Sequence, residues 1–181
     1  MKKALKVLGI IVVGIIIVFA VFLIMPRTEE ISSWSEGDTL NEGDMAPDFT
    51  AELANGMTFT LSKHSDKCVL VNFWATWCGP CVREMPAFQR LTDDDIDGLE
   101  IVCIDCREDK KTVDSFIKES GYTFNIAYDT KGSIGSLYPT DGIPYTLVIY
   151  KGSIKKIYVG AMDAETQYKE YLSAVRECLG E

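Results

Sequence analysis

The chain is 181 residues long and 47% hydrophobic, which is sufficient for one domain of ordinary size with its own core. Its formal net charge of −9 at pH 7 makes nucleic acids and anionic lipid surfaces unfavourable partners. The sequence contains no nucleotide-binding or other cofactor motif, so we expect a function that needs no bound cofactor.

Close to the N-terminus is an apolar segment, residues 7–25, that contains no charged residue. As a helix this segment would be roughly 28 Å long, which matches the hydrocarbon core of a bilayer. Three lysines precede it, so the positive-inside rule places the N-terminus in the cytoplasm and the rest of the chain outside. We therefore predict a single-pass signal anchor in the cell membrane. A cleaved signal peptide ending near Ala20 is the alternative, and it would also export the rest of the chain.

The segment after the apolar run is polar and acidic and contains several serines, which is the composition of a tether. Beyond it the chain alternates between apolar and amphipathic segments, as one α/β domain does. We therefore predict three parts, namely an anchor, a tether and a folded domain, at residues 1–25, 26–42 and 43–181.

Two strand patterns predict the centre of a sheet. The runs from Cys68 to Trp74 and from Leu99 to Asp105 are almost continuously apolar, as in parallel strands that are buried on both faces. Shorter strands are predicted around them, the last two as an antiparallel hairpin. These shorter strands are residues 57–61, 124–128, 145–150 and 154–159.

Three segments, residues 81–91, 110–120 and 164–179, have the apolar spacing of amphipathic helices. Pro86 lies inside the first of them, and Gly121 has the position of a C-cap after the second. The order strand, helix, strand predicts parallel crossover connections and therefore an α/β fold.

The tetrapeptide Cys78-Gly79-Pro80-Cys81 joins the first buried strand to the first helix. A helix N-terminus offers unpaired backbone N–H groups and a positive dipole end, and both stabilise a thiolate. We therefore predict that Cys78 is the nucleophile and that Cys81, which should be more buried, is the resolving thiol of a dithiol/disulfide couple. A static structural disulfide is the alternative for an exported protein.

Other motifs surround this tetrapeptide in a characteristic order: Gly43–Phe49, Phe73–Trp77, Pro86 and Asp141–Tyr150. At these residues the chain resembles the thioredoxin superfamily, and specifically its membrane-tethered TlpA/ResA-like branch, from roughly Gly43 to Leu179. The resemblance implies a thioredoxin-like fold, with a central mixed β-sheet flanked by helices and preceded here by one N-terminal transmembrane helix.

The resemblance also implies a substrate site beside the cysteines. It implies a cis peptide bond between Ile143 and Pro144 that faces the active sulfur, so that Ile143 can pair with a substrate strand and metal is excluded from the dithiol. The expected substrate-binding residues lie on both sides of this sulfur. They are Trp77, Gly79, Pro80, Ile143 and Pro144.

The chain departs from cytosolic thioredoxins beneath the second cysteine, where they keep a buried aspartate and this chain has Asn72. Because an asparagine cannot accept the proton of Cys81, exchange needs another base. Glu84 is three residues beyond Cys81 on the same helix, and TlpA/ResA-like proteins resemble this chain in carrying a glutamate there. We predict that Glu84 is this base, with a solvated helix glutamate as the alternative.

A second Cys-x-x-Cys pair, Cys103 and Cys106, gives the two pairs a spacing close to that of a zinc ribbon. Cys103 lies inside a predicted strand, where side chains alternate between the two faces, so we expect the two sulfurs to diverge and predict no metal site. Cys106 should lie near the active face. We interpret it as a buried spectator thiol, together with Cys68 and Cys178.

These observations favour an extracytoplasmic oxidoreductase that reduces disulfides of exported proteins. The resemblance implies a membrane electron donor of the CcdA/DsbD type and suggests cytochrome c maturation as a task. A peroxiredoxin is the enzymatic alternative, because it shares Ala46–Phe49, but it needs a threonine where this chain has Ala75, and Thr76 is one place off. A non-catalytic binding module or metallochaperone is the other alternative.

Overall fold

The computed structural model describes residues 39–180, which form an α/β fold around a seven-stranded mixed sheet. Its strands are β1 Thr50–Leu53, β2 Thr58–Thr60, β3 Cys68–Trp74, β4 Leu99–Cys106, β5 Asn125–Asp129, β6 Tyr145–Tyr150 and β7 Ser153–Val159. Its helices are α1 Gly79–Asp93, α2 Lys110–Ser120 and α3 Ala164–Leu179. Short 3₁₀ turns lie at Leu61–His64 and Gly135–Leu137.

The strands lie in the order β2-β1-β5-β4-β3-β6-β7. Strands β3, β4 and β5 are parallel and are joined by α1 and α2, whereas the other neighbouring strands pair in the antiparallel sense. Strand β3 pairs with β4 on one side and with β6 on the other, and every one of its residues is buried. The predicted central parallel strands and the C-terminal hairpin are therefore confirmed.

The structure differs from the sequence-based elements mainly at the ends. Helix α1 begins at Gly79, two residues earlier than predicted, because Cys78 serves as its N-cap. Helix α2 has the predicted bounds, and Gly121 caps it in the left-handed conformation with φ of 71°. Strand β1 has only four residues, too few for its alternation of exposed and buried side chains to be distinctive in the sequence.

The two faces of the sheet are covered differently. Buried residues of all three helices pack on one face, hereafter the helical core, against β3 residues that include Cys68 and Trp74. The opposite face, hereafter the loop core, is covered by the chain before β1 and the segment between β5 and β6, with Phe49 and Tyr138 as large contributors. Leu40 is also buried in the loop core, although it belongs to the segment interpreted as a tether.

No helix within residues 39–180 is long and apolar enough to cross a bilayer. The predicted anchor, residues 1–25, lies outside the part of the chain that the structure describes.

Candidate active site

The candidate site begins where β3 delivers the chain to the N-terminus of α1. Cys78 and Cys81 form a disulfide there, with their Cα atoms 5.3 Å apart. Cys78 is the N-cap of α1, and the backbone N–H of Cys81 donates to its sulfur over 3.3 Å. Cys78 is 5% exposed and Cys81 is fully buried. A thiolate formed on Cys78 by reduction would therefore face the N–H groups of the first helical turn, which stabilise it.

The rim beside this disulfide is exposed. Trp77 is 71% exposed, and Gly79 and Pro80, the first two residues of α1, are exposed as well. An exposed indole next to a sulfur offers apolar surface to a partner chain. Pro80 lacks an N–H and so withholds one donor from the first turn, which limits the stabilisation of a thiolate there.

The segment that leads into β6 closes the site from the other side. The Ile143–Pro144 bond is cis, which confirms the expectation taken from the resemblance. The carbonyl oxygen of Ile143 lies 3.8 Å from the sulfur of Cys78. The peptide ahead of β6 and the first turn of α1 therefore meet at this sulfur.

A buried polar network lies behind the disulfide and surrounds Glu84. The carboxylate of Glu84 is fully buried; Asn72 donates from Nδ2 to Oε1 over 2.9 Å, and the hydroxyl of Tyr171 donates to Oε2 over 3.1 Å. Asn72 also donates to the hydroxyl of Thr146 over 2.9 Å, and this hydroxyl lies 3.0 Å from that of Tyr171. Residues from β3, β6, α1 and α3 thus converge on one carboxyl group.

The setting of Glu84 changes its acid–base behaviour. Burial raises the pKa of its carboxyl from 4.5 to about 7, although the hydrogen bonds from Tyr171 and Asn72 act in the opposite direction. Desolvation destabilises the charged carboxylate by more than the two hydrogen bonds stabilise it. The alternative interpretation of Glu84 as a solvated helix residue is therefore wrong. A carboxyl group with this pKa can accept and return a proton near neutral pH.

Two members of the network, Thr146 and Tyr171, were not singled out from the sequence. Thr146 faces Asn72 across the β3–β6 pair, and only the register of that pair reveals the contact. Tyr171 has a sequence signal, its helical spacing from other apolar residues, that was not used to identify it. Residues 168, 171 and 175 have helical spacing and are all buried, whereas Leu172 is only half-buried.

The second Cys-x-x-Cys pair does not converge. Cys103 is buried in the helical core, whereas Cys106 packs against the loop core, so the predicted divergence of the two sulfurs is confirmed. Cys106 lines a cavity of about 200 Å³ that Ile143 also lines, which places it near the active face as expected. Burial, assisted by the charges of Asp105 and Asp129, raises the pKa of the Cys106 thiol to about 12. Cys106 is therefore protonated at neutral pH.

The loop before Cys78 bears on the peroxiredoxin alternative. The backbone N–H of Thr76 donates to Oε2 of Glu108, and its hydroxyl donates to Oε1, both over 2.6 Å. The hydroxyl of Thr76 is therefore committed to Glu108, and the threonine position that a peroxidatic cysteine needs is occupied by Ala75. Sequence reasoning missed Glu108, whose contact with this loop spans 32 positions of sequence.

Comparisons with known proteins agree with this geometry. The model of the AhpC/TSA family matches residues 42–157. The thiol-disulfide oxidoreductase ResA of Geobacillus thermodenitrificans is 34% identical over 145 residues, which cover 79% of this chain and 83% of that protein. ResA of Bacillus subtilis is 32% identical over 141 residues, which cover 77% and 78%.

Comparison with a solved structure also identifies a protein of thiol–disulfide exchange. The crystal structure of a thiol:disulfide interchange protein DsbE from Chlorobium tepidum superposes on this chain with a TM-score of 0.69 and 28% sequence identity. The match covers 76% of this chain and 99% of that one. The family match includes both cysteines of the disulfide and the cis-proline segment. The chain therefore belongs to the AhpC/TSA family, as a ResA-like thiol-disulfide oxidoreductase with a thioredoxin-like fold.

Proposed function

We propose that this enzyme reduces disulfides of exported proteins outside the cytoplasm while anchored to the cell membrane. The observation that carries the proposal is the helix-capping Cys78–Cys81 disulfide backed by a fully buried glutamate. Pro80 supports the reducing direction, because a less stabilised thiolate makes the dithiol a better electron donor.

The proposed reaction is two successive thiol–disulfide exchanges. The Cys78 thiolate attacks one sulfur of a substrate disulfide, and the other substrate sulfur leaves as a thiolate. Cys81 then loses its proton and attacks the Cys78 sulfur of the mixed disulfide. The second substrate thiol is released, so the substrate gains two electrons and the enzyme is left with its Cys78–Cys81 disulfide.

Glu84 is proposed as the group that receives the proton of Cys81. It lies three residues further along α1, where side chains share a helix face, and both residues are buried. Its raised pKa suits proton transfer near neutral pH, and the hydrogen bonds from Asn72 and Tyr171 orient the carboxylate.

Binding of the substrate is assigned to the surface around Cys78. Trp77 offers apolar area, Gly79 and Pro80 leave the start of α1 unobstructed, and Ile143 presents backbone groups beside the sulfur ahead of Pro144. An extended substrate segment can pair with such backbone groups. Disulfide-containing exported proteins, among them apocytochrome c, are the proposed substrates.

The proposed location rests on the sequence before the described residues. The uncharged run at residues 7–25 and the lysines before it have the properties of a signal anchor. The dithiol must be regenerated after each cycle, and the sequence has no cofactor motif that would do so. A membrane thiol–disulfide transporter of the CcdA/DsbD type is the proposed electron donor.

The reduction potential of the Cys78–Cys81 couple tests the direction of the reaction. Equilibration of the full-length protein in dithiothreitol or glutathione buffers, followed by quantification of free thiols, measures it. We expect a value closer to the roughly −270 mV of thioredoxin than to the roughly −120 mV of DsbA. A potential at the oxidising end would contradict a reducing role.

Topology is tested separately. A reporter that is active only outside the cytoplasm, fused after Glu181, should be active, and the mature N-terminus should still contain Lys2 and Lys3. Recovery of a soluble form that begins at Val21 would replace the anchor with a cleaved signal peptide.

A further inference from the structure

Two cysteines that the proposed reaction does not use lie together at the amino end of β3. Cys68 is the first residue of β3 and is completely buried in the helical core. Cys178 lies in the last turn of α3, is half-buried, and packs against the same core. Cys68 pairs with Tyr150 of β6 in the sheet, and Tyr150 and Cys178 line the same cavity, so the two thiols are near enough for each to shift the pKa of the other.

The backbone around these cysteines shows that the contact arises from the packing of α3. The N–H of Cys68 donates to the carbonyl oxygen of Gly98 over 2.8 Å. A Cβ atom added to Gly98 would lie 3.1 Å from a methyl group of Leu179, the neighbour of Cys178. The last turn of α3 therefore rests on Gly98, the hydrogen-bond partner of Cys68, and this packing places Cys178 beside the start of β3.

The two thiols differ in access. Cys178 lines a cavity of about 300 Å³ together with Lys155 and Glu177, so a reagent can reach its sulfur. Burial raises the pKa of the Cys178 thiol, whereas the neighbouring Cys68 thiol and the charge of Lys155 lower it. Burial, followed by the proximity of Cys178, raises the pKa of Cys68. Cys178 is thus the thiol that reacts first, and Cys68 is placed to react second.

We propose that Cys68 and Cys178 form a second disulfide, which fastens the end of α3 to the start of β3. The oxidant is another disulfide, R–S–S–R, of a small molecule or a protein. The Cys178 thiolate attacks it and releases one R–S⁻. Cys68 then loses its proton and attacks the Cys178 sulfur of the mixed disulfide, which releases the second R–S⁻. The two cysteines lose two electrons, and the oxidant becomes two thiols.

This disulfide would act on stability and not on catalysis. It joins residues about 110 positions apart, so it would remove much of the conformational freedom of the unfolded chain. The proposal does not rest on the function assigned to Cys78 and Cys81.

The experiment uses the full-length protein with both active-site cysteines replaced, C78S/C81S, so that only the other thiols react. The protein is reduced, freed of reductant, and incubated with oxidised glutathione. Peptide mapping without reduction should find Cys68 linked to Cys178 in a monomer, and the melting temperature should rise by roughly 5–10 °C over the reduced form.

Two variants in the same background serve as test and control. Cys178→Ser changes a half-buried position, so it should fold and lose both the linked peptide and the rise in melting temperature. Cys106→Ser, the matched change at another half-buried cysteine, should keep both.

Three results would overturn the proposal. They are two free thiols after prolonged incubation, a stable glutathione adduct on Cys178 without the linked peptide, and a linkage between two chains. A linked peptide without a change in melting temperature would contradict the stabilising role.

Discussion

Strand β3 has a pair of cysteines near each of its ends, and the two pairs have opposite chemical settings. At the carboxyl end, Cys78 caps a helix and Cys81 shares that helix with a buried glutamate. At the amino end, Cys68 is enclosed by apolar side chains, and Cys178 lines a cavity with Lys155 and Glu177, whose charges shift its pKa in opposite directions. The thiols near the two ends of this strand therefore have different electrostatic surroundings.

The difference shows what turns a pair of thiols into a reactive couple. A helix N-terminus lowers the free energy of a thiolate, whereas apolar burial raises it. At the carboxyl end, the buried carboxyl group of Glu84, with a pKa near neutrality, is the proposed proton acceptor. We therefore expect fast exchange at the carboxyl end of β3 and slow oxidation at the amino end.

The largest expected effect is the loss of activity in Cys78→Ser. Removal of the attacking sulfur should lower disulfide reduction to background, a decrease of about 10³-fold or more. Cys178→Ser should stay within about twofold of the wild type, because that sulfur is remote from the helix N-terminus. Steady-state reduction of a fluorescent disulfide peptide measures both. Comparable losses in the two variants would contradict the division of roles.

The next effect concerns proton transfer. Glu84→Gln should slow resolution of a Cys78 mixed disulfide by about 10²–10⁴-fold at pH 7, because the proton of Cys81 loses its positioned acceptor. The defect should fade at high pH, where Cys81 ionises unaided. Single-turnover release of a thiol reporter measures the step.

Glu119→Gln, at an exposed glutamate of α2, is the matched control and should be silent. If Glu84→Gln keeps full activity at pH 7 with an unchanged titration of Cys81, water carries the proton and Glu84 is structural.

The same carboxyl group should make stability depend on pH. Its pKa is about 7 in the folded protein and near 4.5 when solvated, so between these values the folded protein keeps a proton that the unfolded chain releases. The free energy of unfolding should therefore fall as pH rises through this window, by up to about 3 kcal/mol. Urea titrations of the oxidised protein at pH 4.5 and 8 measure this fall.

In Glu84→Gln that part of the pH dependence should be absent, since glutamine does not titrate. Equal pH slopes in the two proteins would show that Glu84 is ionised at little cost in the fold.

The smallest expected effect compares thiol reactivity directly. In the reduced protein near neutral pH, Cys78 should be alkylated at least about tenfold faster than Cys106 or Cys178. Burial raises the pKa of both other thiols, that of Cys106 to about 12. Alkylation for short times followed by mass mapping of the peptides measures the rates. Equal labelling of Cys106 would indicate a third thiol in the reaction.

Much of the fold was predictable because its signals are local. The continuous apolar run of β3, the glycine cap after α2 and the apolar spacing of α3 each involve residues close in sequence. Strand β1 was missed because four residues carry too little pattern. The covering of one sheet face by loops was missed as well, because it depends on which segments fold over Phe49 and Tyr138.

The candidate site divides in the same way. The Cys78–Cys81 couple is a local feature, because a helix start defines both the cap and the order of burial. Glu84 was predicted from its spacing on that helix. The sequence did not predict that Glu84 is buried, and burial is what raises its pKa. Glu108 reaches the loop before Cys78 only after the strands have paired.

The sequence by itself thus determined the three helices, every strand except β1, the reactive cysteine pair and the family, because periodicity and short motifs are properties of neighbouring residues. Only the tertiary structure decided the hydrogen bonds of Glu84 to Asn72 and Tyr171, the opposite faces of Cys103 and Cys106, and the proximity of Cys178 to Cys68. These contacts join residues on different strands and helices. Strand register and helix packing bring them together, and desolvation then sets the pKa of each buried group.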